Sequence, residues 1–359
     1  MSFLTPTTNT FPHSSPAPSR SSPTRNCTLS HHIHPSSDDT NSDIDLSIVI
    51  ISWNTQTVLV ECLESVALAL SRSGLTAEII VVDNDSKDGS ADRVSRDFDG
   101  VRLIRNQNNR GFAAANNQAL RIVRGRQVLL LNSDTLVIGD VLQDSVDYMN
   151  RESGVAVMGC RVLNADGSTQ ISCSSYPSLS NLTLLVSGLD KVFQGSVFDR
   201  YRMSGWARRE EAAVDVISGC YLMVRREALA QVGLLDESFF FFGEETDWCR
   251  RFADRGWQVR FAPVGEIVHL GGVSAAALGS WRDVLLTAGF VRLHYKHSGT
   301  TSACFAWSIL LAFNLSRCAL WSARWFFTFW KPRRGFSRQR CLHFLSVLAD
   351  YPKVWRLAV

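Results

Sequence analysis

Residues 128–134 read VLLLNSD, four apolar residues that stop abruptly at a polar triplet. Val128 to Leu131 are apolar at every position rather than at alternate ones, which predicts a strand buried on both faces, as in a parallel sheet. Asn132, Ser133 and Asp134 then fall just past its carboxyl end, where open α/β sheets bind ligands. A carboxylate beside a carboxamide and a hydroxyl suits a hard divalent cation that keeps some waters and is bridged by phosphate oxygens. The same residues would also serve a plain Asx-type turn. The neighbouring segments weigh between the two.

Upstream, LSIVIISW (46–53) reads as a first buried strand, and helical spacing over 57–70 is closed by Gly74. In EIIVVDNDSKDGS (78–90), Ile79 to Val82 form a second strand ended by Asp83 and Asn84, with a turn at Asp88-Gly89. VRLIRN (101–106) is a third strand, Gly111 opens a helix to about Val123, and VLLL is the fourth strand. A helix over 140–149 and a fifth strand, VAVMGC (155–160), follow. Strand and helix alternating over short connections predict an α/β fold with a doubly wound, mostly parallel sheet flanked by helices. No GxGxxG follows the first strand and no GxxxxGK[ST] occurs, so neither a dinucleotide fingerprint nor a P-loop handles phosphate here. A metal at Asp134 is the obvious substitute.

From 161 to 217 the pattern weakens. Asp166-Gly167 marks a hairpin, and 176–213 reads as a loop-rich insertion with short apolar helices. VISGCYLMVRREAL (216–229) is a strand and then a helix starting near Arg225. Its small residues would admit a backbone or a sugar, or simply pack as an ordinary buried strand. The second dense cluster is FFFFGEETDWCRRFADRGWQVRFAP (239–263). Phe239 to Phe242 form an apolar loop or short strand, Gly243 breaks it, and Glu244, Glu245 and Asp247 open a helix to about Asp254. The helix dipole favours acidic residues in a first turn by about 0.3–1 kcal/mol each. Three together exceed what capping needs, and their mutual repulsion suits one of them to general-base work. Arg250 and Arg251 stand at i+3 and i+4 from Asp247, in pairing distance. A strand over 256–263 leads to EIVHLGG, which puts His269 just beyond it as a structural residue or a metal ligand.

The formal net charge is +3, so composition does not point to nucleic acid. Charge is unevenly placed, however. No acidic residue occurs between Asp283 and Asp350, a stretch holding nine Lys or Arg residues, which suggests an anionic membrane surface. Nine cysteines without CxxC pairs read as reduced thiols of a cytosolic protein, and no zinc site is expected. Residues 1–43, rich in Ser, Thr, Pro, Asn and His, read as a disordered tail without a signal peptide; His31, His32 and His34 are read as solvated.

WRDVLLTAGFVRLHYKH (281–297) reads as a helix. The apolar run 302–316 is shorter than the ~20 residues that span a bilayer, and Arg317 interrupts it. The favoured reading has helices lying in the membrane interface, with Trp321, Trp325 and Trp330 at headgroup level. A tilted span, a helical hairpin, or a helix packed on the body are the alternatives. The expected organisation is therefore a tail (1–43), an α/β domain (44–280) and a C-terminal apolar and basic helical region (281–359).

The segments SIVIISWN, VVDNDS, NNRGFAAANN, LLNSD, ISGCYLMVRREAL, GEETDWCRR and GWQVRFAP with trailing VHLGG occur in this order between about 46 and 274. Together they resemble family 2 glycosyltransferases of the GT-A fold, in particular the rhamnosyltransferase-like branch. The resemblance implies a nucleotide-sugar site made by Asn54, Asp83, Gly111, Asn116, Asn132 and Ser133, with Asp83 on the base. It implies Mg²⁺ or Mn²⁺ held by Asp134 and His269, although the strict Asp-x-Asp motif has Asn132 at its first position. Glu245 matches the catalytic base, with Glu244 and Asp247 supporting it or contacting the acceptor. The implied reaction is inverting transfer from a nucleoside-diphosphate sugar, possibly of rhamnose, to a glycan or polyprenyl-linked acceptor at the cytoplasmic face of the inner membrane, in cell-surface polysaccharide synthesis. Two other classes share parts of the pattern. A nucleotidyltransferase should carry a Gly-rich basic loop where WNTQTV (53–58) stands, and a sugar-nucleotide or lectin-like binding protein need not keep three clustered carboxylates.

Overall fold

The computed structural model describes residues 44–189, 193, 197–272, 278–327 and 334–359. The expected tail (1–43), Trp330, Lys331 and Arg333 lie outside the described residues.

The first half follows the alternation read from the sequence. In chain order it comprises β1 (Leu46–Ser52), α1 (Gln56–Arg72), β2 (Ala77–Asp83), α2 (Ser90–Asp97), β3 (Val101–Arg105), α3 (Phe112–Leu120) and β4 (Gln127–Asn132). β5 (Thr135–Val137), α4 (Val141–Arg151), β6 (Val155–Leu163), β7 (Cys173–Ser174) and α5 (Leu179–Ser187) follow. Then come β8 (Ala212–Ala213), β9 (Val216–Ile217), β10 (Tyr221–Arg225), α6 (Arg226–Val232), α7 (Glu244–Asp254) and β11 (Gln258–His269). The chain closes with α8 (Trp281–Phe327) and α9 (Arg334–Ala358).

One sheet runs β3-β2-β1-β4-β10-β6-β11-β5, with β8 added beside β11. β1 pairs in parallel with β2 on one side and β4 on the other. The chain thus winds outward from β1 in both directions, and β1 and β4 flank the point where strand order reverses. β10 is antiparallel to both β4 and β6, so the sheet is mixed while keeping most of its register parallel. This is the α/β sheet of a GT-A-type fold. Helices bury apolar faces on both sides, forming two clusters: Ile48, Leu63 and Met158 belong to one, Val49, Leu130 and Trp248 to the other. Each fully buried aliphatic side chain contributes about 1.5–3 kcal/mol.

Three local readings change, and one open alternative is decided. β5 is a short strand that the sequence reading did not anticipate, because three residues carry no periodicity. The segment 216–225 splits into β9 and β10 around Ser218–Cys220 rather than running as one strand. Of the loop or short strand expected at Phe239–Phe242, Phe240–Phe242 form the loop. β11 runs twelve residues with register shifts against β6, so His269 is its last residue instead of lying beyond it.

The C-terminal region packs on the body, and its long helix is not straight. Gly299 (φ 80°, ψ 176°) breaks α8 into two arms. In the first arm Asp283 meets His343 and Arg292 donates to the Leu357 carbonyl, so this arm runs alongside α9 in the same sense. In the second, Tyr351 donates to the Trp307 carbonyl and Ser322 meets Cys341, so that arm runs opposite to α9. The result is a three-helix layer whose core (Val291, Leu293, Ala306, Val347, Val354) also takes in Leu182, Leu185 and Phe239 of the body. The eight described cysteines are free thiols.

Candidate active site

A cleft of about 220 Å³ opens at the carboxyl ends of β1 and β4. Its floor includes Asn132, Ser133 and Asp134, its walls include Trp53, Asn84, Gly111 and Ser218–Cys220, and Phe240–Phe242 with Glu244 and Glu245 close the far side. The position follows from topology: register pairs Ile51 with Asn132 and Ser52 with Asp83, so three strand ends finish together.

On the β2 side, Asp83 is buried at the end of its strand and does not itself line the cleft, which its neighbour Asn84 does. Its Oδ2 accepts from the Ser86 N–H (3.1 Å), whereas Oδ1 is buried without a hydrogen-bond partner among the described residues. A buried acceptor left open is costly, about 1–3 kcal/mol, unless a ligand supplies a donor. Asn84 organises the loop beside it. Its Nδ2 donates to Asn109 Oδ1 (2.9 Å) and the Gly111 carbonyl (3.3 Å), and its Oδ1 accepts from the Arg110 N–H (3.0 Å). Gly111 (φ 80°) leads into α3 while touching the Phe240 backbone, and a Cβ there would lie 2.5 Å from the Phe240 carbonyl. Two further candidate residues also lie outside the cleft lining. Asn54 (φ 53°) ties two loops, donating its N–H to Ser86 Oγ and accepting from the Lys87 N–H, and it does not line the cleft. Asn116 turns its Nδ2 to the Phe112 carbonyl of its own helix (2.9 Å) and does not line the cleft either. The spacing of NNRGFAAANN could not reveal which asparagine faces inward.

At the cleft floor, Asp134 and Ser133 are almost fully buried. Thr55 Oγ1 donates to Ser133 Oγ (3.0 Å) and lies 3.0 Å from Ser52 Oγ, fixing the β4 end to the β1 end. His269 reaches the same point from β11: its Nε2 lies 3.2 Å from Asp134 Oδ1 and 3.2 Å from Asn132 Nδ2. Gln170 sets the ring. Its amide nitrogen donates to Asn164 Oδ1 (2.7 Å), so its Oε1 accepts from His269 Nδ1–H (2.7 Å). Nδ1 is thereby held on Gln170, and Nε2 faces Asp134 Oδ1 and the Asn132 amide. A carboxylate oxygen and an imidazole nitrogen that close are separated about as two neighbouring ligands of one small divalent ion would be, and an orienting partner on the far nitrogen is usual for metal-bound histidine. Asp134 and His269 thus fit the implied ion as two protein ligands; among the described residues no group of three His, Cys, Asp or Glu side chains converges. Gln170 lies in the turn after β6 and carried no sequence signal.

Across the cleft, Gly243 (φ 103°) starts α7 and turns both glutamates inward. Glu244 Oε2 and Glu245 Oε2 are buried without partners among the described residues. Burial, and then the charge of Glu245, push the Glu244 carboxyl well above the ordinary glutamate range. Burial also raises Glu245, but N–H groups of Gly243 and of Glu245 itself, and the hydrogen bond from Glu244, pull it back. The pair therefore keeps one proton on Glu244, and Glu245 ionises first. Asp247, expected beside them, faces away. It accepts from Arg251 Nε (2.8 Å), Lys296 Nζ (2.7 Å) and His297 Nε2 (2.9 Å), joining α7 to the first arm of α8. Burial raises its pKa, yet His297, Lys296 and Arg251 outweigh it and hold Asp247 below the usual range. Arg250 pairs with Asp254 (3.1 Å) instead of Asp247.

Comparison with known proteins agrees with this fold. The chain is 25% identical over 289 residues to the N-acetylglucosaminyl-diphospho-decaprenol L-rhamnosyltransferase of Mycobacterium tuberculosis, spanning 74% of this chain and 89% of that one. It is 24% identical over 229 residues to the low-salt glycan biosynthesis hexosyltransferase Agl10 of Haloferax volcanii, spanning 63% of this chain and 67% of that one. The crystal structure of GalNAc-T7 with UDP, GalNAc and Mn²⁺ superposes with a TM-score of 0.50 at 17% identity, over 70% of this chain and 47% of that one. Residues 47–233 match the profile described as glycosyl transferase family 2, and the chain belongs to that family.

Proposed function

We propose that this protein is an inverting, divalent-metal-dependent hexosyltransferase. It moves a sugar from a nucleoside-diphosphate donor to a hydroxyl of a glycan or polyprenyl diphosphate-linked acceptor, in cell-surface polysaccharide synthesis at the cytoplasmic face of the membrane. Similarity to a rhamnosyltransferase that acts on a decaprenol-linked sugar supports rhamnose as the sugar and a lipid-linked acceptor. Residues 44–280 form the catalytic unit and 281–359 its membrane-associated part in this reading.

The observation that carries it is the convergence, in one cleft, of the Asp134–His269 pair with two buried carboxyls whose Oε2 atoms have no partner among the described residues. Asp83 Oδ1 takes a donor of the nucleotide base, and the Gly111 backbone lets the nucleotide approach. Asp134 and His269 would hold Mg²⁺ or Mn²⁺, which supplies Lewis-acid neutralisation of the diphosphate. Glu245 accepts the proton of the acceptor hydroxyl as the new C–O bond forms at the anomeric carbon and the bond to the diphosphate breaks. Glu244, keeping its own proton, hydrogen-bonds the base and limits the pair to one negative charge. The aromatic loop 240–242 shields this step from water. Attack from the face opposite the leaving group inverts the anomeric centre and needs no second nucleophilic carboxylate.

Purified protein is screened with UDP-, dTDP- and GDP-sugars, with and without Mn²⁺, alongside Asp134→Ala and Glu245→Gln. The expected result is metal-dependent release of one nucleoside diphosphate. Loss of the base should lower transfer by about 10²–10⁴-fold with nucleotide binding retained. Nucleotide binding without release from any donor, even with a detergent-solubilised lipid acceptor, would leave a binding protein. Pyrophosphate release from a nucleoside triphosphate and a sugar phosphate would mark a nucleotidyltransferase.

A further inference from the structure

The second arm of α8 carries a stripe that nothing in the fold covers. Phe305, Ala312, Leu315, Ala319, Ala323 and Phe326 recur at helical spacing and are all exposed, with Ser308 as the polar member of the row. From Phe305 to Phe326 the stripe runs about 32 Å at 1.5 Å per residue. Phe326 and Phe327 are 77% and 80% exposed, values far from those of core aromatics. The opposite face of the same arm is in use: Ala303, Ala306, Leu310 and Asn314 are buried against the three-helix layer.

The charge around this stripe has one sign. Residues 284–349 contain no carboxylate, and Arg324 and Arg338 are exposed near its distal end. Arg324 lies 5.3 Å from the centroid of the Trp321 ring and Arg317 lies 5.0 Å from that of Phe313. Aromatic bodies with cationic heads beside them suit the level of lipid headgroups.

We infer that the exposed stripe of the second α8 arm docks in the plane of an anionic lipid leaflet. This deepens the membrane reading above and rests on it. The arm lies flat rather than crossing, because its inner face is held by α9 and the body, and α9 brings Arg338, His343, Asp350 and Lys353 with it. Insertion of the pair would carry those charges into hydrocarbon. The first arm is meanwhile fixed to α7 through Asp247, so docking sets the orientation of the cleft relative to the bilayer.

The test is flotation of the full chain with phosphatidylcholine vesicles, with or without phosphatidylglycerol, at low and high salt. No donor or acceptor is present, so failure here and failure of the transferase reading are separable. Binding should require phosphatidylglycerol and fall with salt. F326S/F327S should lower partitioning about tenfold or more, and R324Q/R338Q about thirtyfold, at about 1 kcal/mol per basic residue. Thermal unfolding and donor hydrolysis in solution should be unchanged in both variants. Equal binding to neutral vesicles, or none to either, overturns the inference. Carbonate-resistant insertion overturns it in favour of a span. A lipid-free dimer that F326S/F327S turns into monomer overturns it in favour of a second copy covering the stripe.

Discussion

Glu244 and Glu245 show how two neighbouring identical residues take different roles from their surroundings. Both are buried and each takes its own N–H, but Glu245 also takes the Gly243 N–H and a hydrogen bond from Glu244, so the negative charge settles there. The acid limb of kcat/KM should therefore lie above the ordinary glutamate value of about 4.3, with activity rising as Glu245 ionises. Stability takes the opposite sign. A carboxyl with a raised folded pKa gives stability that is complete below its unfolded pKa and is lost as pH rises through the folded value. Glu244→Gln keeps a neutral donor and abolishes that loss. It should raise Tm by about 2 °C or more at mildly alkaline pH and leave it unchanged near pH ~4, read by thermal unfolding at each pH. Asp83 offers a second residue-level check. Asp83→Ala should weaken nucleotide binding by about 1–3 kcal/mol in calorimetry, because Oδ1 is the open acceptor in that part of the site.

At the scale of elements, the site depends on where strands end and how loops turn. β11 runs long enough to bring His269 to Asp134, and the turn between β6 and β7 supplies Gln170 to aim the ring. Gln170→Ala should lower Mn²⁺ affinity about 10–100-fold in titration calorimetry while metal-free nucleotide binding is kept. The loop before α7 is pressed from behind by α8. A Cβ at Gly289 would lie 2.4 Å from the Phe242 carbonyl, so Gly289→Ala must displace the loop that leads into Glu244 and Glu245. The expected destabilisation is about 1–3 kcal/mol by denaturant unfolding, with slower transfer.

For the whole molecule, Asp247 is the link between α7 and the C-terminal layer. It is fully buried, and Arg251, Lys296 and His297 all converge on it. Asp247→Asn takes the carboxylate from Arg251 and leaves Lys296 only Asp236, and should destabilise the protein by about 3–5 kcal/mol. Its folded pKa is depressed, so this stability is present above the unfolded Asp value of about 3.9 and is lost as pH falls through the folded one. Chemical unfolding of wild type and variant should accordingly converge in strong acid and differ most near neutral pH.

The sequence alone determined the α/β class, the order of the first strands and the two polar clusters, because buried parallel strands are apolar throughout and stop at polar residues wherever a ligand site begins. VLLLNSD and FFFFGEETDW were legible for that reason, and both reach the cleft. Contacts made across some fifty residues or more were not legible. Whether Asn116 faces the cleft depends on a helix rotation smaller than the uncertainty of its start. Whether Asp247 serves catalysis or architecture depends on Lys296 and His297, some fifty residues away, and Gln170 matters only because β11 brings His269 to it. The reversal at Gly299 likewise turned one apolar stretch into two arms, the second with one face buried and one exposed. Local pattern specifies which face of an element avoids water; only the packed chain decides which distant charge that face meets.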